Sequence, residues 1–231
     1  MRRLSILARR TNIMIDQSTF LECRCGKCRL TVCDPLMRYR LECLCFDCRQ
    51  RQLISASKHS DNRLPIDVAN YNRGVDEYYF ANGFLVEQSS REQLIFSKLR
   101  DDAFNTTAMS ACCGTLMCGT HPVYEGASVS VNADSCHVGT SFVMPTQVIL
   151  FGCDFPQDKY VEIKKRAQAP LSFSVYDELN SDPMIDFLKA VTEPLAKVYK
   201  HSGYVTFETL SEQAEIQIDN AYFDESRSGK D

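Results

Sequence analysis

The sequence predicts a mainly β core with a helical C-terminal extension, α+β overall. Three features predict it: short β-like runs broken by turns from residue 19 to about residue 131, a helix-spaced apolar stripe after Ala167, and twelve cysteines, seven of them tightly grouped. Residues 19–23, 29–32 and 39–43 are the first β-like runs, and 77–81, 84–88 and 94–99 continue them. Asn82-Gly83 stands between two of these runs and suits a two-residue hairpin turn. Residues 128–132 and 147–153 close the strand-like series. One short helix is expected over 47–56, with Leu53 and Ile54 as its apolar side. Farther on, Asp182-Pro183 reads as a helix start. Met184, Ile185, Phe187, Leu188 and Val191 then recur at helical spacing. Thr192 and Pro194 interrupt that helix, which restarts and ends at Gly203. The organisation that follows is a basic extension over 1–18, a cysteine-rich domain over 19–166, a helical extension over 167–218 packed on it, and a polar, frayed tail over 219–231.

Composition excludes several function classes. The 231 residues include 26 Lys and Arg against 30 Asp and Glu, for a net charge of -4. Nucleic-acid affinity rests on basic residues neutralising phosphates, so a nucleic-acid partner is not expected. No apolar run approaches the ~20 residues that cross a bilayer, so no membrane partner is expected either. Residues 1–15 contain four arginines, no acid and scattered apolar residues. That pattern suits either a mitochondrial presequence or a basic extension ahead of Met14, so the expected location is cytoplasmic, with mitochondrial as the alternative.

The cysteines carry the chemistry. Cys23 with Cys25, Cys43 with Cys45 and Cys48, and Cys112 with Cys113 form three clusters. Neighbours this close rarely bridge each other, because a disulfide needs Cα atoms about 4.4–6.8 Å apart with convergent Cβ vectors. They can instead aim several thiolates at one metal ion. Zinc takes four ligands in tetrahedral geometry and favours sulfur at about 2.3 Å. Cys23 and Cys25 supply two ligands, so a distant pair must complete that site. Cys43, Cys45 and Cys48 supply three with no obvious fourth, the arrangement of a zinc with an open position. Two Zn2+ per chain are therefore expected. Cys28, Cys33, Cys118, Cys136 and Cys153 read as core residues, with Cys28 and Cys118 as substitute ligands. His59, His121, His137 and His201 are isolated, and only His121 lies near the late cluster.

The order Cys23-Arg24-Cys25-Gly26, then Cys43-Leu44-Cys45-Phe46-Asp47-Cys48-Arg49, then Cys113-Gly114-Thr115 resembles the glutathione-dependent formaldehyde-activating enzyme and centromere protein V family. The resemblance spans roughly residues 19 to 135. It implies a β-tent fold, small antiparallel sheets meeting at a structural zinc that uses the first cysteine pair and a later one. It implies a second zinc at the triplet, where the enzyme binds the glutathione adduct of formaldehyde. Two positions depart from the pattern. Ser110 stands where the first cysteine of a Cys-x-x-Cys pair would be, with Cys112 beside Cys113. Leu44 stands where many relatives have histidine. The sequence looks closer to a branch with a Cys-Cys-x-Thr-Pro element, Leu116 replacing the proline. Which of Ser110, Cys112, Cys113 and Cys118 completes the structural site stays open.

Two functions of different class follow. The first is a carbon–sulfur lyase acting on a thiol adduct such as that of glutathione, with Arg24, Lys27, Arg49 and Arg51 as candidates for its carboxylates. The second is a noncatalytic zinc-stabilised module that binds a protein partner through the helical extension. No general base stands out from the sequence.

Overall fold

The computed structural model describes residues 18–58, 65–174, 178–194, 203–212 and 214–219. Residues 1–17 of the basic N-terminal extension, the helix restart before Gly203 and the tail beyond Asp219 fall outside these residues. The described chain is mainly β with helical additions, as the sequence predicts. It forms two sheets.

The smaller sheet has four strands, β1 (Phe20–Glu22), β2 (Arg29–Val32), β5 (Phe84–Leu85) and β10 (His137–Gly139), in the order β10-β1-β2-β5. All its pairings are antiparallel. The larger sheet has eight strands. They are β3 (Tyr39–Cys43), β4 (Val75–Ala81), β6 (Leu94–Lys98), β7 (Thr106–Ser110), β8 (Leu116–Thr120), β9 (Ser128–Asn132), β11 (Val148–Leu150) and β12 (Ile216–Ile218). Their order is β11-β3-β4-β9-β8-β7-β6-β12, antiparallel except for the two edge strands, which run parallel to β3 and β6. Leu21, Leu30, Phe80, Phe84, Met117 and Val129 are almost fully buried in the core that joins the two sheets.

Six helices accompany the sheets: α1 (Phe46–Lys58), α2 (Ile66–Ala69), α3 (Gln88–Arg91), α4 (Gln157–Arg166), α5 (Asp182–Thr192) and α6 (Phe207–Ser211). None is long and apolar enough to cross a membrane. Helix α5 forms where the apolar stripe predicts it. It lays Met184, Phe187 and Val191 on the outer face of the large sheet against Tyr39 and Tyr79. The Phe187 ring meets both tyrosines edge-on, each at a centroid separation of 5.3 Å. The large sheet is thus covered on both faces.

Several local expectations are corrected. Asn82-Gly83 is not a hairpin turn, because β4 and β5 belong to different sheets. The buried Asn82 side chain redirects the chain there. Its Nδ2 donates to Gly126 O and Glu208 Oε2, and its Oδ1 accepts from the Phe207 backbone N–H at the start of α6. Strands β7 and β8 escape sequence reading because nearly every residue in them is buried, so no alternation marks them. Asp219 is not frayed. Its N–H donates to Lys98 O, extending the pairing of β12 with β6.

Helix α1 departs most from expectation. Leu53 is 41% exposed, whereas the buried residues are the polar Arg51, Gln52 and Ser55. A helix that buries its polar side faces a polar interior, and that interior is the site described next.

Candidate metal centres

The first centre is built by two hairpin turns, one from each sheet. After β1 the chain turns sharply, with the Gly26 N–H donating to Cys23 O and the Cys23 N–H to Cys28 O. Gly26 has φ +74, a left-handed conformation that glycine adopts without strain. Cys23 and Cys25 project from this turn. Between β7 and β8 a second tight turn presents Cys112 and Cys113. The four sulfurs lie within 4.8 Å of one another. Cys23 and Cys25 are 3.5 Å apart, Cys23 and Cys112 3.6 Å, and Cys25 and Cys112 3.3 Å. A tetrahedral sulfur cage at about 2.3 Å from zinc has edges of about 3.8 Å, so this group can hold a metal ion and is compatible with zinc.

The structure brings both adjacent cysteines, Cys112 and Cys113, into the group that could hold the ion. Ser110 is fully buried behind them. Its Oγ accepts from the Thr115 N–H at 3.1 Å and lies 3.3 Å from Cys113 Sγ. Thr115 Oγ1 lies 3.1 Å from the same sulfur and accepts from the Arg24 N–H. Burial pushes the Cys113 thiol up, but the hydrogen bonds from Ser110 and Thr115 outweigh it and bring it down to about 6. Burial raises Cys23 and Cys112. Ser110 and Thr115 thus brace one of the four sulfurs that could hold the ion, a placement the sequence does not reveal. Cys28 and Cys118 are not members of the group. The Cys28 N–H donates to Cys23 Sγ at 3.3 Å, and its own thiol faces Ser90 O.

The second centre lies at the junction of β3 and α1. Cys43 ends the strand, Cys45 precedes the helix, and Cys48 lies in its first turn. Their sulfurs converge within the same 4.8 Å limit, with no fourth His, Cys, Asp or Glu ligand atom among the described residues. The Cys48 N–H donates to Cys45 Sγ at 3.2 Å, so Cys45 caps the helix. Hydrogen bonds from Cys43 and Cys48 bring Cys45 down to about 5. The same sharing holds Cys43 well above the ordinary thiol range. The helix N-terminus favours the thiolate form of these sulfurs, and the three together could hold a metal ion.

These sulfurs line a cavity of about 570 Å³ between the large sheet, α1 and α5. Its floor is polar. Glu77 on β4 sits opposite Asn132 on β9, and Asn132 Nδ2 donates to Glu77 Oε1 at 3.3 Å. Gln52 of α1 donates to Asn132 Oδ1 through a short contact. Burial, then the neighbouring Cys48, raises the Glu77 carboxyl well above the usual carboxylate range. His121 lines the cavity with Nδ1 accepting from the Val123 N–H, and burial lowers it. Arg51, only 7% exposed, also lines the cavity.

The other candidate basic residues do not meet there. Arg49 donates to the carbonyls of Val68 and Ala69 and stacks on Tyr71. Arg24 donates to the carbonyls of Ser135 and Asp134, and Lys27 is exposed. Leu44 turns away from the cavity into a separate cluster with Ile149, Phe155, Tyr160 and Ile163. Cys153, expected in the core, is exposed at the cavity edge. Sequence reading misses Glu77 because a lone glutamate in a strand carries no signal until register sets it beside Asn132. Comparison with family models, curated proteins and solved structures finds no match to this chain.

Proposed function

We propose that the protein is a two-zinc protein whose first centre is structural and whose second binds a small thiol or thiol adduct. The observation that carries this reading is the contrast between the two centres. Four sulfurs close the first, whereas three converge at the wall of a cavity in the second. Zinc held by Cys43, Cys45 and Cys48 would supply a Lewis-acidic position suited to soft sulfur.

The finer reading is carbon–sulfur lyase chemistry on the adduct of a thiol with an aldehyde, in keeping with the resemblance of the cysteine motifs. In adduct formation the thiol sulfur forms the C–S bond, the carbonyl electron pair moves onto oxygen, and that oxygen takes a proton. Glu77 delivers the proton and is replenished by the one the thiol loses. In cleavage the electron pair of the C–S bond leaves on sulfur and Glu77 takes the hydroxyl proton. The carboxyl suits this work because it is buried in the cavity wall, with one oxygen accepting from Asn132.

Metal analysis of the reduced protein, followed by cobalt substitution and titration with a small thiol, tests the proposal. Two metals per chain and thiol-dependent visible bands that disappear in Cys48→Ser are expected. Bands that no thiol perturbs would defeat the open centre and leave a zinc-stabilised noncatalytic module. Thiol-sensitive bands without faster exchange between thiol, aldehyde and adduct would defeat only the lyase reading.

A further inference from the structure

The cavity beside the triplet holds a feature that thiol binding alone does not require. Arg51 is 7% exposed, its Nε has no hydrogen-bond partner, and no ion pair reaches its guanidinium among the described residues. The groups whose charge it faces are Cys45, Cys48 and Glu77, and with Nε left without an acceptor the guanidinium keeps a donor for an incoming anion. The other arginine in the wall is already satisfied, because Arg100 grips Asp47 with both Nη atoms at 2.9 and 3.1 Å. The upper wall is different in kind. Tyr79, Met184, Phe187 and Leu188 give it an apolar surface, and Phe104 stands 71% exposed at the edge.

We infer that the cavity selects a thiol with an apolar body of about phenyl size and a single carboxylate, the carboxylate pairing with Arg51 and the body lying against α5. This rests on the reading of Cys43, Cys45 and Cys48 as a thiol-accepting centre. It separates the ligand from glutathione, whose two carboxylates and ammonium bring three charges to a wall where Arg51 is the one arginine not already gripping a carboxylate. Charged groups taken from water without partners weaken binding.

The test titrates the cobalt-substituted full-length protein with four probes: 2-mercapto-3-phenylpropanoate, 2-phenylethanethiol, mercaptoacetate and glutathione. The first should bind more tightly than each of the others by about tenfold or more, the size expected for one buried ring or one desolvated ion pair. In Arg51→Gln it should fall to the affinity of 2-phenylethanethiol, which should itself stay unchanged. Phe187→Ala should weaken both phenyl probes and spare mercaptoacetate. Glutathione binding as tightly as the phenyl carboxylate would overturn the inference. So would equal weakening of both phenyl probes by Arg51→Gln, which would make the arginine only a counterion for the sulfurs. If Arg51→Gln does not fold, the four probes on the unmodified protein still decide. Bands insensitive to every thiol would defeat the open centre itself, whereas sensitivity without selectivity would defeat only this inference.

Discussion

Ser110 braces the first centre from behind, with its oxygen between the Thr115 N–H and the sulfur of Cys113. Removing the hydroxyl takes away the oxygen to which the Thr115 N–H donates and one hydrogen-bonding contact of the Cys113 sulfur. Ser110→Ala should therefore cost about 1–3 kcal/mol of stability. It should also weaken metal retention at this centre by about 10–100-fold, the usual effect of losing a group that orients a ligand. Melting curves and competition with a chromogenic chelator measure the two effects. Unchanged chelator resistance would make Ser110 a packing residue only. Gly74 plays a comparable part at the second centre. A Cβ there would collide with the Cys43 carbonyl oxygen and come within 2.8 Å of Leu44 Cδ2. Gly74→Ala should displace the end of β3, cost about 1–3 kcal/mol, and release metal from the triplet while sparing the four-sulfur centre. Metal content of the purified variant checks this.

Helix α1 is the element that links the two centres. Cys48, Arg51, Gln52 and Ser55 follow one face of it, from the triplet through the cavity to the loop of the first centre. There Ser55 Oγ donates to Gly114 O at 2.7 Å. Helix α5 closes the cavity from the other side, and its packing is dispersive and aromatic rather than polar. Phe187 is 6% exposed and touches Tyr39 and Tyr79. Phe187→Ala should cost about 3–5 kcal/mol if the space does not collapse, readable as a lower midpoint in denaturant. The four-sulfur centre should keep its metal, because α5 does not reach it. Loss of both metals would mean that α5 supports the whole molecule rather than one wall.

For the whole molecule, the decisive connection is the one between sheets. Cys23 and Cys25 belong to a turn of the four-stranded sheet, and Cys112 and Cys113 to a turn of the eight-stranded one. A metal bound by all four fastens the sheets together, and such sites contribute on the order of 10 kcal/mol to folding. Cys25→Ser or Cys112→Ser should therefore lower the melting temperature sharply. Cys48→Ser should lose one metal and leave the fold in place. Thermal melts with metal counting separate these outcomes. Equal destabilisation by both kinds of substitution would contradict the division into a structural and an open centre.

The sequence by itself determined the mainly β class, helix α5, and the cysteines that group. These rest on short-range patterns of strand-forming residues between turns, a helical apolar stripe, and thiols too close together to bridge each other. Only the tertiary structure decided that Cys112 and Cys113 both join Cys23 and Cys25, since ligands from two different sheets meet through strand register. It also decided the buried face of α1. Hydropathy points to Leu53 and Ile54, whereas the cavity draws in Arg51, Gln52 and Ser55 because Asn132, Gly114 and the sulfurs lie on that side. Glu77 is the clearest case. Its chemistry depends on burial, on Asn132 across the strand pair, and on the sulfur of Cys48, none of which is written in its neighbours along the chain.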